Sequence, residues 1–146
     1  MEYKKLGETY YIRMDRGDRV VSGIMDICRK EGIKSAIYTG IGGCSDAQIQ
    51  TFIPERGEFE TEDVHRMLEL VALTGNVVSD EGGTLFHHSH AMFAYKDKDG
   101  HQSIGGHLKE TIVLYTAEIE LRPTVGGYIG RKYNDETGTG FWDFKG

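Results

Sequence analysis

Past Glu31 the apolar residues of this chain stop recurring at helical spacing, and from there to the end it reads as strands divided by glycine and polar turns. That constrains the architecture more than any other feature. SAIYTGIG (35–42) is a strand running into glycines, and AQIQTFI (47–53) alternates, with Ala47, Ile49, Thr51 and Ile53 on one face. PERGEFETED (54–63) is polar and acidic and reads as an exposed loop. HRMLELVALTGNVV (65–78) is apolar on both faces, which predicts a central strand. TLFHHSHAMFAYK (84–96) is a further strand. Residues 97–100 form a turn, HQSIGGHL (101–108) returns from it, and TIVLYTAEIELRP (111–123) is another strand.

Ahead of this block, TYYIRM (9–14) is rich in β-formers. From Asp18 to Glu31, Val20, Val21, Ile24, Ile27 and Cys28 recur at helical spacing. Asp15 or Asp18 is placed to cap that helix, and Gly32 to end it. One early helix followed by long strands and tight turns predicts an α+β fold with a largely antiparallel sheet. The 146 residues fit a single domain, 1–146, large enough to bury a core without disulfides.

Histidines crowd the segment from 87 to 107. Alternation along a strand puts His88 and His90 on one face and His87 on the other. Their Cβ atoms then stand roughly 6–7 Å apart, which suits two ligands of one ion. The turn supplies a third. A Lys98-Asp99 turn pairing Asp97 with Gly100, or a four-residue loop closed by Lys96 and His101, sets His90 opposite His107. Directly opposed residues of an antiparallel pair share a face. A slip of one residue would bring Ser89 opposite His107 and send that histidine to the other side, and Gly105-Gly106 is a natural place for a bulge. His88, His90 and His107 are therefore a candidate site for a divalent transition metal, with zinc the ion expected, and three ligands leave a fourth position open. The competing reading is three hydrogen-bonded imidazoles on a half-buried sheet face.

Glu69 lies within the apolar run MLELVALTG, where a carboxylate needs a partner. It is a candidate fourth ligand, an acceptor behind a ligand histidine, or a general base. Pairing with Arg66 or Arg122, or a strand end in water, is the structural alternative. GIGG (40–43) lacks the GK[ST] ending of a phosphate loop and is read as a glycine turn that permits close packing. His65, His87 and His101 are assigned to the surface or to ordinary hydrogen bonds. Cys44, after those glycines, is placed where it could be exposed. Phe141, Trp142 and Phe144 are expected to dock the tail or to pack on a neighbouring subunit.

Composition narrows the function classes. A net charge of −6 disfavours binding to phosphate backbones. No apolar run reaches membrane-spanning length, and MEYKKLGETYY lacks the apolar stretch of a signal peptide. Cys28 and Cys44 form no CxxC and are read as reduced thiols of a cytoplasmic protein.

HRMLELVALTGN, HHSHAMFA and IGGHL together resemble the plant-and-prokaryote-conserved (PPC) domain. In that family a strand of the form R-x-x-E-[IL]-x-x-[LF]-x-G precedes an H-x-H strand and a G-G-H-L turn. Here those elements are Arg66 to Gly75, His88 to His90, and Gly105 to Leu108. The resemblance spans about residues 8–123. It implies an α+β homotrimer and, as in some prokaryotic members, a metal held by His88, His90 and His107. Plant members follow an arginine-glycine-arginine-proline DNA reader, a motif this chain lacks. The expectation is a stand-alone trimeric binding or assembly module with a bound metal and a small-molecule ligand at the open position. The alternative is a small metalloenzyme of hydrolase or lyase type in which Glu69 moves protons. A third reading, a DNA-associated regulator as many relatives are labelled, is opposed by the net charge and the missing motif.

Overall fold

The computed structural model describes residues 1–144. The order is β1 (Glu2–Leu6), β2 (Thr9–Asp15), α1 (Val20–Lys30), β3 (Ala36–Ile53), β4 (Glu58–Ser79), β5 (Leu85–Asp97), β6 (Gly100–Pro123), β7 (Gly130–Asn134) and β8 (Thr139–Asp143). β3 pairs with β4, β4 with β5, β5 with β6, and β6 back to β3, so four antiparallel strands close a circuit. β2 and β1 extend the sheet beyond β6. The β7–β8 hairpin attaches to β4 through one parallel bridge, Ser79 to Gly130. The fold is thus a mostly antiparallel sheet with one short helix, and α+β describes it only loosely.

The core lies between α1 and the inner faces of these strands. Val20, Val21, Ile24, Ile27 and Cys28 of the helix are buried there with Met14, Leu68, Leu73, Phe93, Leu108 and Leu121. Burial pushes the Cys28 thiol up to about 12. Cys44 is equally buried, with its thiol also raised, so it is not the exposed cysteine expected after a glycine turn.

The helix is capped from outside its own sequence. Arg19 occupies the N-cap and its side chain makes no capping bond. Asp18 instead accepts from the Asp15 amide at 2.8 Å and pairs with the N-terminal amine at 2.9 Å. The orphan N–H groups of the first turn go to Glu110 of β6, which accepts from Val21 N at 2.8 Å, Ser22 N at 3.1 Å and Ser22 Oγ at 2.6 Å. A buried carboxylate is also the charge that a helix N-terminus favours. At the other end, Ile33 N bonds to Cys28 O and Gly32 N to Arg29 O, closing the helix with a Schellman motif.

Several strand boundaries differ from the pattern-based expectation. The segments 35–42 and 47–53 are one strand, β3, and 101–108 and 111–123 are one strand, β6. The glycines between them bend the chain without ending it. A Cβ on Gly42 would stand 2.6 Å from the Thr116 carbonyl oxygen, so GIGG is a place where β3 and β6 backbones touch, within a strand rather than a turn. Residues 58–63 pair with β3, for example Phe59 with Phe52, where a loop was expected. Both faces of that extension meet solvent, so its residues carry no buried-face pattern to read. β4 buries Leu68, Leu70, Leu73 and Val77 but leaves Met67 and Val71 exposed, so within one chain it is covered on one face only.

Candidate metal centre

β5 points Ser89 and Ala91 into the core and His88 and His90 outward. The turn at its end is held by the Asp99 amide bonding to Asp97 Oδ1 at 2.8 Å. Asp97 pairs with Gly100 and Lys96 with His101, and the same register carried back sets His90 opposite His107. At that point β6 leaves β5 for β3, and His107 also faces Gln50. The crossing requires glycine: a Cβ on Gly105 would lie 2.7 Å from the Ala91 carbonyl oxygen, and one on Gly106 2.8 Å from that of Gln50.

The three rings converge. Centroids are 5.1 Å apart for His88 and His90, 5.1 Å for His88 and His107, and 4.2 Å for His90 and His107. One nitrogen from each lies within 4.8 Å of the others, and the Nε2 atoms of His88 and His90 are 3.2 Å apart. Two nitrogens bound about 2.05 Å from one tetrahedral zinc would stand about 3.3 Å apart, so one pair already has ligand spacing and the third needs a small ring movement. Burial, and then the neighbouring His90, hold His88 and His107 below the ordinary imidazole pKa. That favours the neutral form, which is the one that ligates. Phe59 packs edge-on against His107 at 5.1 Å and walls the cluster on the β3–β4 side.

Glu69 does not belong to this site. It is exposed and stands opposite Ala94, four residues along β5 from His90, about 13 Å at strand rise. Within one chain that distance is too great for a fourth ligand or for moving a proton at the histidines. Its apolar neighbours in sequence misled because half of them face outward with it. Among the described residues the buried carboxylate is Glu110, whose sequence signal is its inward parity with Leu108 on one strand.

The remaining histidines have separate duties. His87 faces inward, with Nδ1 2.9 Å from Ser89 Oγ, and Ser89 in turn bonds the Tyr38 hydroxyl. Burial lowers the His87 pKa. His65 bonds Asp46 at 2.6 Å on the surface, and His101 lies exposed opposite Lys96.

A mostly antiparallel sheet with one helix, carrying an H-x-H pair and the histidine of a glycine crossing on its outer face, defines a class of small β-rich domain with a histidine centre. The chain belongs to the Plants and Prokaryotes Conserved (PCC, or PPC) domain family, whose family model matches residues 1–124. A PPC protein of Pyrococcus horikoshii is 34% identical over 97% of this chain and 94% of its own, with a TM-score of 0.80. A metal-containing protein of Archaeoglobus fulgidus is 26% identical over 98% and 99%, with a TM-score of 0.81. A protein of Bacteroides thetaiotaomicron, described as a candidate DNA-binding protein, is 25% identical over 99% and 98%, with a TM-score of 0.88. No curated protein matches the chain at a significant level. No helix among the described residues is long and apolar enough to cross a membrane.

Proposed function

We propose that His88, His90 and His107 hold a divalent transition metal, zinc by its fit to imidazole donors, in a PPC-domain protein that assembles as a homotrimer and works as a cytoplasmic binding module. The observation that carries the reading is the convergence of three ring nitrogens within 4.8 Å on two adjacent strands. The metal-containing relative from Archaeoglobus supports it. A metal bound there would supply a Lewis acid, while the chain's own residues set its ligands and its access. Ile41, Met67, Val71 and Tyr115 stand exposed on the outer sheet face, an apolar patch of the kind that neighbouring subunits cover. Duplex DNA, suggested by the Bacteroides relative, is not included, because a net charge of −6 opposes it.

Elemental analysis of the purified chain tests the site. One metal ion per chain is expected, lost in His90→Ala; a variant that retains the full complement refutes the ligand set. Light scattering is expected to return three times the 16.4 kDa chain mass, and a monomeric mass removes the assembly part.

A further inference from the structure

Beside the imidazoles the outer sheet face sinks into a cavity of about 440 Å³, within the range of small-ligand sites. Strand register builds it in two rows. His88 stands opposite Asn76, Asn76 opposite Ile37, and Ile37 opposite Arg122. In the next row His90, Thr74, Thr39 and Glu120 follow each other in the same way. Opposed residues share a face, so histidines bound one end of the cavity and Arg122 the other. Three strand spacings separate the backbones of His88 and Arg122, about 14 Å, and both residues line the cavity between them. Two threonine hydroxyls and an amide are set in a floor that is otherwise mostly apolar, Ile37 included. Trp142 closes it from β8, its Nε1 donating to Asn76 Oδ1 at 3.3 Å.

The chemistry of the two ends is complementary to a molecule with an oxyanion at each. Arg122 Nη2 lies 3.4 Å from Glu120 Oε2, which steadies the guanidinium while engaging one of its five N–H donors. The rest of the fork suits a carboxylate in bidentate contact. At the histidine end, an ion held by three neutral imidazoles keeps its positive charge and lacks a fourth ligand. With such an ion bound, its charge and that of Arg122 together would outweigh the one carboxylate that lines the cavity, Glu120.

We propose that this cavity binds a small dicarboxylate, with one carboxylate on the open metal position and the other on Arg122. The proposal rests on the metal reading above. Trp142 is the single tryptophan of the chain, so its fluorescence reports directly on the cavity.

The test titrates the zinc-loaded full-length protein with succinate at constant ionic strength, with acetate as the one-ended control and bound zinc measured in the same samples. A saturable fluorescence change is expected with succinate, with acetate binding at least tenfold more weakly. Arg122→Gln is expected to weaken succinate at least tenfold with zinc per chain unchanged. Zinc-loaded protein with no saturable response, equal affinity for acetate, or undiminished affinity in Arg122→Gln overturns the dicarboxylate site and leaves the metal centre standing. Wild-type protein that takes up no zinc overturns both.

Discussion

Replacing Glu110 with alanine removes the acceptor for two backbone N–H groups and one hydroxyl at the start of α1, and for the Thr111 amide beside it on β6. The Val21 and Ser22 amides then lack an intrahelical partner, and the Val21 bond is buried. Leaving a buried donor unpaired costs about 1–3 kcal/mol, while Ser22 Oγ can rotate toward water and forfeits less. Water entering the vacated space offsets part of the loss at the less buried Ser22 amide. The total is about 3 kcal/mol, a large share of the roughly 5–15 kcal/mol that holds a domain folded. For a chain of this length that lowers Tm by about 9 °C. Glu110→Gln keeps one acceptor oxygen and is expected to lose about half as much. Differential scanning calorimetry and urea denaturation measure both. In the alanine background, Ser22→Ala should add almost nothing, because its partner is already gone. A Tm drop below about 3 °C for the alanine variant, or a full additional loss from Ser22→Ala, would refute the capping argument.

Two further outcomes follow from the geometry. Gly106→Ala sets a Cβ 2.8 Å from the Gln50 carbonyl oxygen and forces β6 away from β3, carrying His107 with it; zinc affinity, read against a chromophoric chelator, should fall about 10–100-fold, as when a metal ligand loses its support. Gly127→Ala meets nothing within 4 Å and should leave that affinity unchanged, so equal behaviour of the two variants contradicts the account. His65 is held above 6.5 mainly by its hydrogen bond to Asp46, and Asp46 is held below 3.8 by Ser45 and then His65. The histidine's stabilising share is complete below pH 6.5 and lost as pH rises through its raised midpoint; the carboxylate's is present above pH 3.8 and lost as pH falls through its lowered one. An NMR titration should place the His65 midpoint above 6.5 in the wild type and near the ordinary value in Asp46→Asn, and a midpoint that does not move excludes the pairing.

What the sequence by itself determined was local. Alternation put His88 and His90 together, and the short turn at 97–100 counted His107 into place, because a tight antiparallel hairpin leaves no freedom in register once its turn is set. The helical stripe from Val20 to Cys28 was legible for the same reason: both signals are written in neighbouring residues. Only the tertiary structure decided which faces are covered. Alternation says that Met67, Glu69 and Val71 differ in side from Leu68 and Leu70, but not which side meets the core; Glu69 shares the outer face with the histidines and is set apart from them along the strand by the pairing register. The cap of α1 comes from a residue 89 positions away, so no local reading could replace Asp18 with Glu110. The cavity between His88 and Arg122 exists because β5, β4, β3 and β6 lie side by side, a consequence of which backbones pair across the whole chain.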